Sequence, residues 1–231
     1  MWFIKHKAGL IDSGFFNGFA DYHCHILPGV DDGVKTMEEA LEALEYFEHL
    51  EVGRVILTPH AMNGLENREE VEQAFDALCK QYSGKIILEL GTEYMLDSGF
   101  KERMEKELLC LDKDSVLVET SYLSPPNNLY ELLYEISTTG NTPVIAHPER
   151  YLYMGHGDYY KLKEKDYMLQ LNLLSLSGYY GKQVMKNADF LLEQGMYDKI
   201  GTDLHNLQNF RKWIEKLKVT NKQLEKLTNI R

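Results

Sequence analysis

The sequence predicts an α/β protein, a distorted (β/α)7 barrel, and three observations carry that reading. Short runs rich in Val, Ile and Leu alternate with amphipathic stretches of helical period. The run ends, counted at 23, 60, 93, 119, 147, 172 and 203, lie 25 to 37 residues apart, close to the ~30 residues of one βα unit. Nearly all of these positions are His, Glu or Asp, as expected for a parallel barrel whose site gathers at the C-terminal strand ends. Seven strands make a smaller, distorted version of the eight-stranded form.

Taken in order, the first run ends at Asp21-Tyr22-His23-Cys24-His25. Thr36-Met37-Glu38-Glu39 is a capping box; it opens a helix through Leu41, Leu44, Phe47 and Leu50, with Gly53 as its stop. Val55 to Thr58 predicts the next strand. Asn67 to Glu70 repeats the capping logic ahead of a helix through Val71, Phe75 and Leu78, and Ile86 to Leu90 predicts a strand. Gly99 to Leu109 reads as helical. Beyond a strand at Val116 to Glu119, Pro125-Pro126 forces a turn, and Leu129, Leu132, Leu133 and Ile136 mark a helix ended by Gly140. Pro143 to His147 is the fifth strand and Met168 to Asn172 the sixth. Lys182 to Gln194 is a helix stopped by Gly195, Lys199 to Asp203 is the seventh strand, and helices at Asn206 to Leu217 and Asn221 to Leu227 follow. With no repeat, low-complexity segment or linker, one domain over 1–231 is expected, residues 1–19 being an N-terminal extension.

Composition bounds the function. At 44% hydrophobic, 231 residues can bury a large core. Three cysteines, an odd number without a framework, predict a reducing compartment and no disulfides, hence the cytoplasm. Lys5, His6 and Lys7 interrupt the apolar stretch at Met1 to Phe16, so no export signal is read there. No run approaches the ~20 apolar residues of a membrane span. Trp2, Phe3, Phe15 and Phe16 are expected to pack against the barrel floor rather than a membrane surface. A net charge of −11 argues against nucleic acid as partner, although a few arginines and bound cations can still make one pocket positive.

The candidate site follows from the run ends. His23 and His25, two apart on an extended segment, project the same way and can hold one metal ion together. His60, Glu93, Glu119, His147, Asp203 and His205 add donors of matching chemistry at later run ends. A lone His-x-His is a weak signal, but eight candidates at successive strand ends are not. Imidazole and carboxylate without thiolate suit Mn, Fe or Zn, and the carboxylate share leans toward Mn or Mg. Asp31-Asp32-Gly33 by itself reads as a turn. His6, His49 and His156 are assigned to structure or solvent, and most of the fifteen tyrosines to packing. Cys24 faces away from its histidine neighbours, which favours a buried, inert thiol.

These residues, with Leu27-Pro28-Gly29-Val30-Asp31-Asp32-Gly33, Thr58-Pro59-His60, Gly91-Thr92-Glu93, Ala146-His147-Pro148-Glu149-Arg150, Ser175-Leu176-Ser177-Gly178 and Thr202-Asp203-Leu204-His205-Asn206, resemble one family over roughly residues 20 to 215. It is the bacterial tyrosine-protein phosphatases of the polymerase and histidinol phosphatase (PHP) superfamily, found in capsule and exopolysaccharide gene clusters. The resemblance implies a PHP-type barrel holding three divalent metal ions, usually Mn2+ with Fe, Zn or Mg as substitutes. It implies removal of phosphate from a tyrosine kinase's tail by metal-activated hydroxide, and it admits a homo-oligomer. By the same implication His23, His25, Glu93 and Asp203 hold one metal, Glu93, Glu119 and His147 a second, and Asp32, His60 and His205 a third. Asp203 and His205 also belong to the implied catalytic set with Arg150, the phosphate clamp. Arg211 is the nearest candidate for a second phosphate arginine, offset by one residue from the expected spacing. A tyrosinate leaving group, whose conjugate acid has a pKa near ~10, needs little help beyond His205.

Rival readings separate cleanly. A cysteine phosphatase needs Cys-x5-Arg, but the residues six beyond Cys24, Cys79 and Cys110 are Val30, Lys85 and Val116, so that mechanism is excluded. A small-molecule phosphatase of histidinol-phosphate or sugar-phosphate type would share the metal scaffold. A non-catalytic metal-binding partner protein is the non-enzyme alternative.

Overall fold

The computed structural model describes residues 7–65 and 67–230. Strands β1 (Lys7–Gly9) and β2 (Ala20–Cys24) are followed by α1 (Met37–His49), β3 (Arg54–Leu57), β4 (His60–Ala61) and α2 (Arg68–Gln81). Next come β5 (Ile87–Leu90), β6 (Glu93–Met95), α3 (Phe100–Met104), β7 (Ser115–Glu119), α4 (Leu129–Thr138) and β8 (Thr142–Ala146). The remaining elements are α5 (His156–Lys163), β9 (Met168–Asn172), α6 (Lys182–Gln194), β10 (Lys199–Gly201), α7 (Leu207–Ile214), β11 (Lys218–Thr220) and α8 (Asn221–Ile230).

The chain folds as mixed α/β with curled parallel sheet. Six strands pair in the order β10-β9-β8-β7-β6-β4 and three in the order β2-β3-β5, all parallel. Thr58-Pro59 separates β3 from β4, and Gly91-Thr92 separates β5 from β6. Across these interruptions Gly91 N donates to Leu57 O at 2.8 Å and Glu93 N to Pro59 O at 3.1 Å, which links the two sheets. On the other side Asp203 N donates to His23 O at 2.7 Å and His25 N to Leu204 O at 3.0 Å, so β2 lies against the continuation of β10. Gly201 is required at this seam, because a Cβ there would fall 2.3 Å from the His23 Cβ.

Local signals account for most boundaries. The Thr36 side chain accepts from Glu39 N at 3.2 Å, while Glu39 returns the bond to Thr36 N at 3.3 Å, so α1 starts where the capping box predicts. Gly195, in the left-handed region at φ 68°, ends α6. The helix expected over Gly99 to Leu109 is shorter, because the Lys106 N–H turns to Arg103 O and the Leu109 N–H goes to the Tyr94 hydroxyl at 2.8 Å. Helix α5 has no sequence-level counterpart: it buries only Tyr159 and Leu162, too little for a periodic signal. The antiparallel pair β1–β11 was equally silent, since three residues on each side carry no period. Leu10, Phe15, Phe16 and Phe19 enter the core, with Phe15–Phe16 and Phe15–Phe19 ring centroids 5.2 Å apart. Trp2, Phe3 and His6 lie outside the described residues.

Candidate metal and phosphate site

All nine candidate metal ligands come together at the C-terminal side of the parallel strands; seven line a cleft of about 410 Å³, and His23 and His25 are buried behind them. They form four overlapping clusters: His23 with His25 and Glu93; His23 with His147 and Asp203; His60 with Glu93 and Glu119; and His25 with Asp32, His60 and His205.

The outer hydrogen bonds of the histidines decide which nitrogen faces inward. Gln170 Oε1 accepts from the His147 backbone N–H at 3.2 Å, which fixes its amide orientation, and it lies 3.0 Å from His23 Nδ1. Nδ1 of His23 is therefore the donor, leaving a lone pair on Nε2. Asp31 does the same for His25, with Oδ2 2.8 Å from Nδ1. The result sets two imidazole lone pairs 2.9 Å apart. Both Nε2 atoms also lie within 3.1–3.2 Å of Glu93 Oε2 and 3.5 Å of Asp203 Oδ1. Four acceptors turned on one point repel unless a cation lies among them, and a ligating histidine held by its other nitrogen is the usual arrangement at metal sites.

The orphaned atoms point the same way. His60 Nδ1, Glu93 Oε2, Glu119 Oε1 and His147 Nδ1 are buried without a hydrogen-bond partner among the described residues. Yet His60 Nδ1 is 2.9 Å from Glu119 Oε1 and 3.1 Å from Glu93 Oε2, close but misaligned for hydrogen bonding. Glu93 turns its second oxygen to His147 Nε2 at 3.0 Å, so one carboxylate touches four imidazoles. At the outer edge Asp32 Oδ1 lies 3.4 Å from His60 Nε2 and 3.3 Å from His205 Nε2. The donor atoms fit divalent cations. The clusters also cut across the implied grouping: Glu119 faces His60, His147 falls with His23 and Asp203, and His25 also falls with Asp32, His60 and His205.

Charge without a metal is balanced by protons. Burial opposes a charge on His60, but Glu93 and Glu119 overcome it and hold the imidazole up to about 12. His25 is raised against burial to about 10 by Asp31 and Glu93. Burial and Arg150 push His147 down to about 4. Burial and Glu93 raise Glu119, while surrounding histidines hold Glu93 well below the carboxylate range despite its burial. Bound cations would displace these protons.

Two ligand candidates also carry backbone strain. His147 (φ 34°) and Asp203 (φ 51°) are non-glycine residues in the left-handed region, a cost of about 1–3 kcal/mol each where the surroundings impose it. Asp203 is anchored by its backbone N–H on His23 O.

Arg150 reaches the cleft on the 3-10 turn Pro148–Arg150. It does not pair with Glu149, its neighbour in sequence. Glu149 is buried and accepts from Asn172 N, Ser175 Oγ and Tyr197 OH at 2.8–3.0 Å. Arg150 Nη1 instead donates to Asp203 Oδ2 at 2.6 Å, joined there by Asn172 Nδ2 at 2.6 Å. Asp203 is thereby split, Oδ1 toward the histidines and Oδ2 toward Arg150. Arg211, the candidate for a second phosphate arginine, lies on α7 over the Tyr46 ring at 4.9 Å and near Glu215, outside the residues lining the cleft. One helical position separates it from Phe210, which does line the cleft. Cys24 is buried in the apolar core, its thiol pushed well up by burial.

Asp31, Gln170, Asn172, Tyr122 and Tyr180 are site residues that sequence reasoning missed. Gln170 and Asn172 left a faint signal as polar residues in the otherwise apolar strand Met168–Asn172. Asp31 was visible only as part of a turn, although its partner His25 is six residues away; Tyr122 and Tyr180 left no signal, since only contact with Arg150 on another segment gives them a role.

Residues 19–228 match the family described as Capsular polysaccharide synthesis, CpsB/CapC. Tyrosine-protein phosphatase YwqE of Bacillus subtilis (strain 168) is 31% identical over 197 residues, 81% of this chain and 78% of that protein. Tyrosine-protein phosphatase CpsB of Streptococcus pneumoniae is 28% identical over 203 residues, 82% of this chain and 84% of that protein. A solved structure, one of YwqE from Bacillus subtilis and CpsB from Streptococcus pneumoniae described together as unique metal-dependent tyrosine phosphatases, superposes with a TM-score of 0.75 at 27% identity. The superposition covers 92% of this chain and 95% of that one.

Proposed function

This chain belongs to the CpsB/CapC family of capsular polysaccharide synthesis, and on that premise we propose that it is a metal-dependent protein-tyrosine phosphatase acting on a bacterial tyrosine kinase's tail. The carrying observation is the convergence of His23 Nε2 and His25 Nε2, 2.9 Å apart, each within 3.5 Å of both Glu93 Oε2 and Asp203 Oδ1, beside an arginine. In this reading the strand segments β2, β3–β4, β5–β6, β7, β8, β9 and β10 make a distorted (β/α)7 barrel, and residues 1–231 are one catalytic domain. Three divalent ions, Mn2+ foremost, would be held by His23, His25, Asp32, His60, Glu93, Glu119, His147, Asp203 and His205. Such ions supply positive charge for phosphoryl oxygens and lower the pKa of water. Three free thiols fit a reducing, cytoplasmic setting.

The chain's own groups do the rest. Arg150 binds the phosphoryl group through the edge of its guanidinium not spent on Asp203, giving planar, charge-assisted hydrogen bonds. His205 keeps its Nδ1 proton on Asp203 O at 3.0 Å, which leaves Nε2 facing Asp32 at the cleft. Tyr179 lines the mouth and offers a ring to an aromatic leaving group. A kinetic comparison of phosphotyrosine peptides with histidinol phosphate and sugar phosphates tests the reading. Higher kcat/KM for the peptides is expected; preference for either small phosphate would replace the protein substrate with a metabolite.

A further inference from the structure

Arg150 is braced by aromatic rings in a way that an ion pair to Asp203 does not require. Its guanidinium carbon lies 4.5 Å from the Tyr122 ring centroid and 4.1 Å from that of Tyr180. The rings come from separate segments, Tyr122 just after β7 and Tyr180 just before α6. Tyr180 is tied into the polar network, its oxygen accepting from Asn172 Nδ2 at 3.0 Å and lying 3.5 Å from Asp203 Oδ2. Tyr122 is different. Among the described residues its close partners meet its ring: Arg150, His147 at 5.7 Å and Tyr151 at 5.8 Å.

We propose, resting on the phosphatase reading above, that Tyr122 is a positioning residue for Arg150, forming with Tyr180 a pair of aromatic walls that hold the guanidinium in the orientation that meets the substrate phosphoryl group. One bond to Asp203 fixes one nitrogen but leaves the plane free to turn about it. Two parallel N–H···O bonds to phosphate need that plane set in advance. Ring faces within about 6 Å of a cation attract it through their quadrupole, and contact with two rings removes the remaining tilt. Preorganising the arginine spares binding the ordering of a long, flexible side chain. The hydroxyl of Tyr122 has no part in this, so the ring is the functional element. If Tyr122 instead met the substrate's own ring, its effect would not depend on Arg150.

Tyr122 is partly exposed at the rim, and its substitution leaves the core intact. The test places Tyr122→Phe and Tyr122→Leu in both the wild-type and Arg150→Ala proteins, metal-loaded throughout. It measures bound metal, the Kd for inorganic phosphate by calorimetry, and kcat and KM on a phosphotyrosine peptide. Tyr122→Phe should match wild type. Tyr122→Leu should weaken phosphate binding and lower kcat/KM by about tenfold, the scale of a partly desolvated cation–π contact, with metal content unchanged. In the Arg150→Ala background Tyr122→Leu should change nothing further. Added guanidinium ion should restore part of the Arg150→Ala rate, and less of it once Tyr122 is Leu. An undiminished effect of Tyr122→Leu in Arg150→Ala would overturn the proposal, as would a raised peptide KM with an unchanged phosphate Kd, or a loss in Tyr122→Phe equal to that in Tyr122→Leu. The two readings fail separately: coupling in phosphate binding without peptide turnover sinks the phosphatase assignment alone, and turnover without coupling sinks the positioning role alone.

Discussion

The two ends of the parallel strands solve the same electrostatic problem in opposite ways. Toward the N-terminal ends, Glu89 and Asp112 are each matched by a cation from the chain. Arg54 donates to both Glu89 oxygens, at 2.9 and 2.5 Å, and Lys199 lies 2.6 Å from Asp112 Oδ2 and 4.2 Å above the Tyr22 ring. At the C-terminal ends Asp32, Glu93, Glu119 and Asp203 face five histidines and a single arginine, which pairs only with Asp203. A buried carboxylate must be paired or coordinate a metal. The lower end is complete as folded; the upper end leaves Glu93 Oε2 and Glu119 Oε1 buried without hydrogen bonds. Counter-charge withheld by the chain is what distinguishes a binding site from a structural salt bridge.

The strongest way to break this comparison is to remove the outside charge. Chelation should abolish aryl phosphatase activity, and Mn2+ should restore it at least as well as Mg2+. Glu93→Gln, which takes one negative charge from the carboxylate that touches four imidazoles, should lower metal stoichiometry and rate together. Undiminished turnover in protein shown to be metal-free, or full metal content in Glu93→Gln, would erase the distinction between the two ends.

Among the described residues lining the cleft Arg150 is the one lysine or arginine, and its removal should separate catalysis from metal binding. Arg150→Ala should lower kcat by on the order of 10²–10³, the usual loss for a preorganised donor, and Arg150→Lys by less. Metal content should stay at the wild-type level in both. Kinetics and metal analysis on the same samples decide it, and lost metal would recast Arg150 as a support for Asp203.

At the lower end Lys199→Met should affect stability and leave kcat and metal content alone. Burial raises the Asp112 carboxyl, but Lys199 and Ser115 outweigh it and hold it below its ordinary value. Because the folded value is depressed, the pair's contribution is present above the unfolded carboxylate value of about 3.9 and is lost as pH falls through the lower folded one. With the Asp112 side chain 33% exposed, the loss at neutral pH should be about 1 kcal/mol or less. Denaturant melts of wild type and variant at pH 7 and pH 3 check this, and the gap should narrow in acid. A gap that widens there would mean Lys199 does not stabilise ionised Asp112.

Cys24→Ser is the smallest expected effect and marks where the upper end stops. The thiol sits between two site histidines in sequence but in the core in space, so activity and metal content should stay near wild type and thiol alkylation should inhibit little. Loss of activity with metals still bound would put Cys24 in the chemistry.

Local chemistry made much of this legible in advance. The capping residues Thr36 and Asn67, the helix stop at Gly195 and the apolar faces of α1 and α4 act within a few residues, so reading the chain in one dimension suffices. Donor identity was legible too, because a His or carboxylate directly after an apolar run has to emerge at a strand end. Segments of three residues, such as β1 and β11, carry no period, and they form only because each finds the other across the chain.

What the sequence by itself determined is the alternation of strand and helix, the kinds of donor atom at the strand ends, and the shared side of His23 and His25, which two-residue periodicity dictates. What only the tertiary structure decided is which atoms meet. Thr202 reaches Asp21 at 2.6 Å across most of the chain's length, and that seam sets the distance from His23 to Asp203. Strand register decides that His60 faces Glu93 and Glu119, and an inward turn of Glu149 sends Arg150 to Asp203. One position along α7 separates Phe210, at the cleft, from Arg211, outside it. Local rules act through covalent geometry, whereas metal coordination and ion pairing depend on through-space distances that exist only once separate segments are packed.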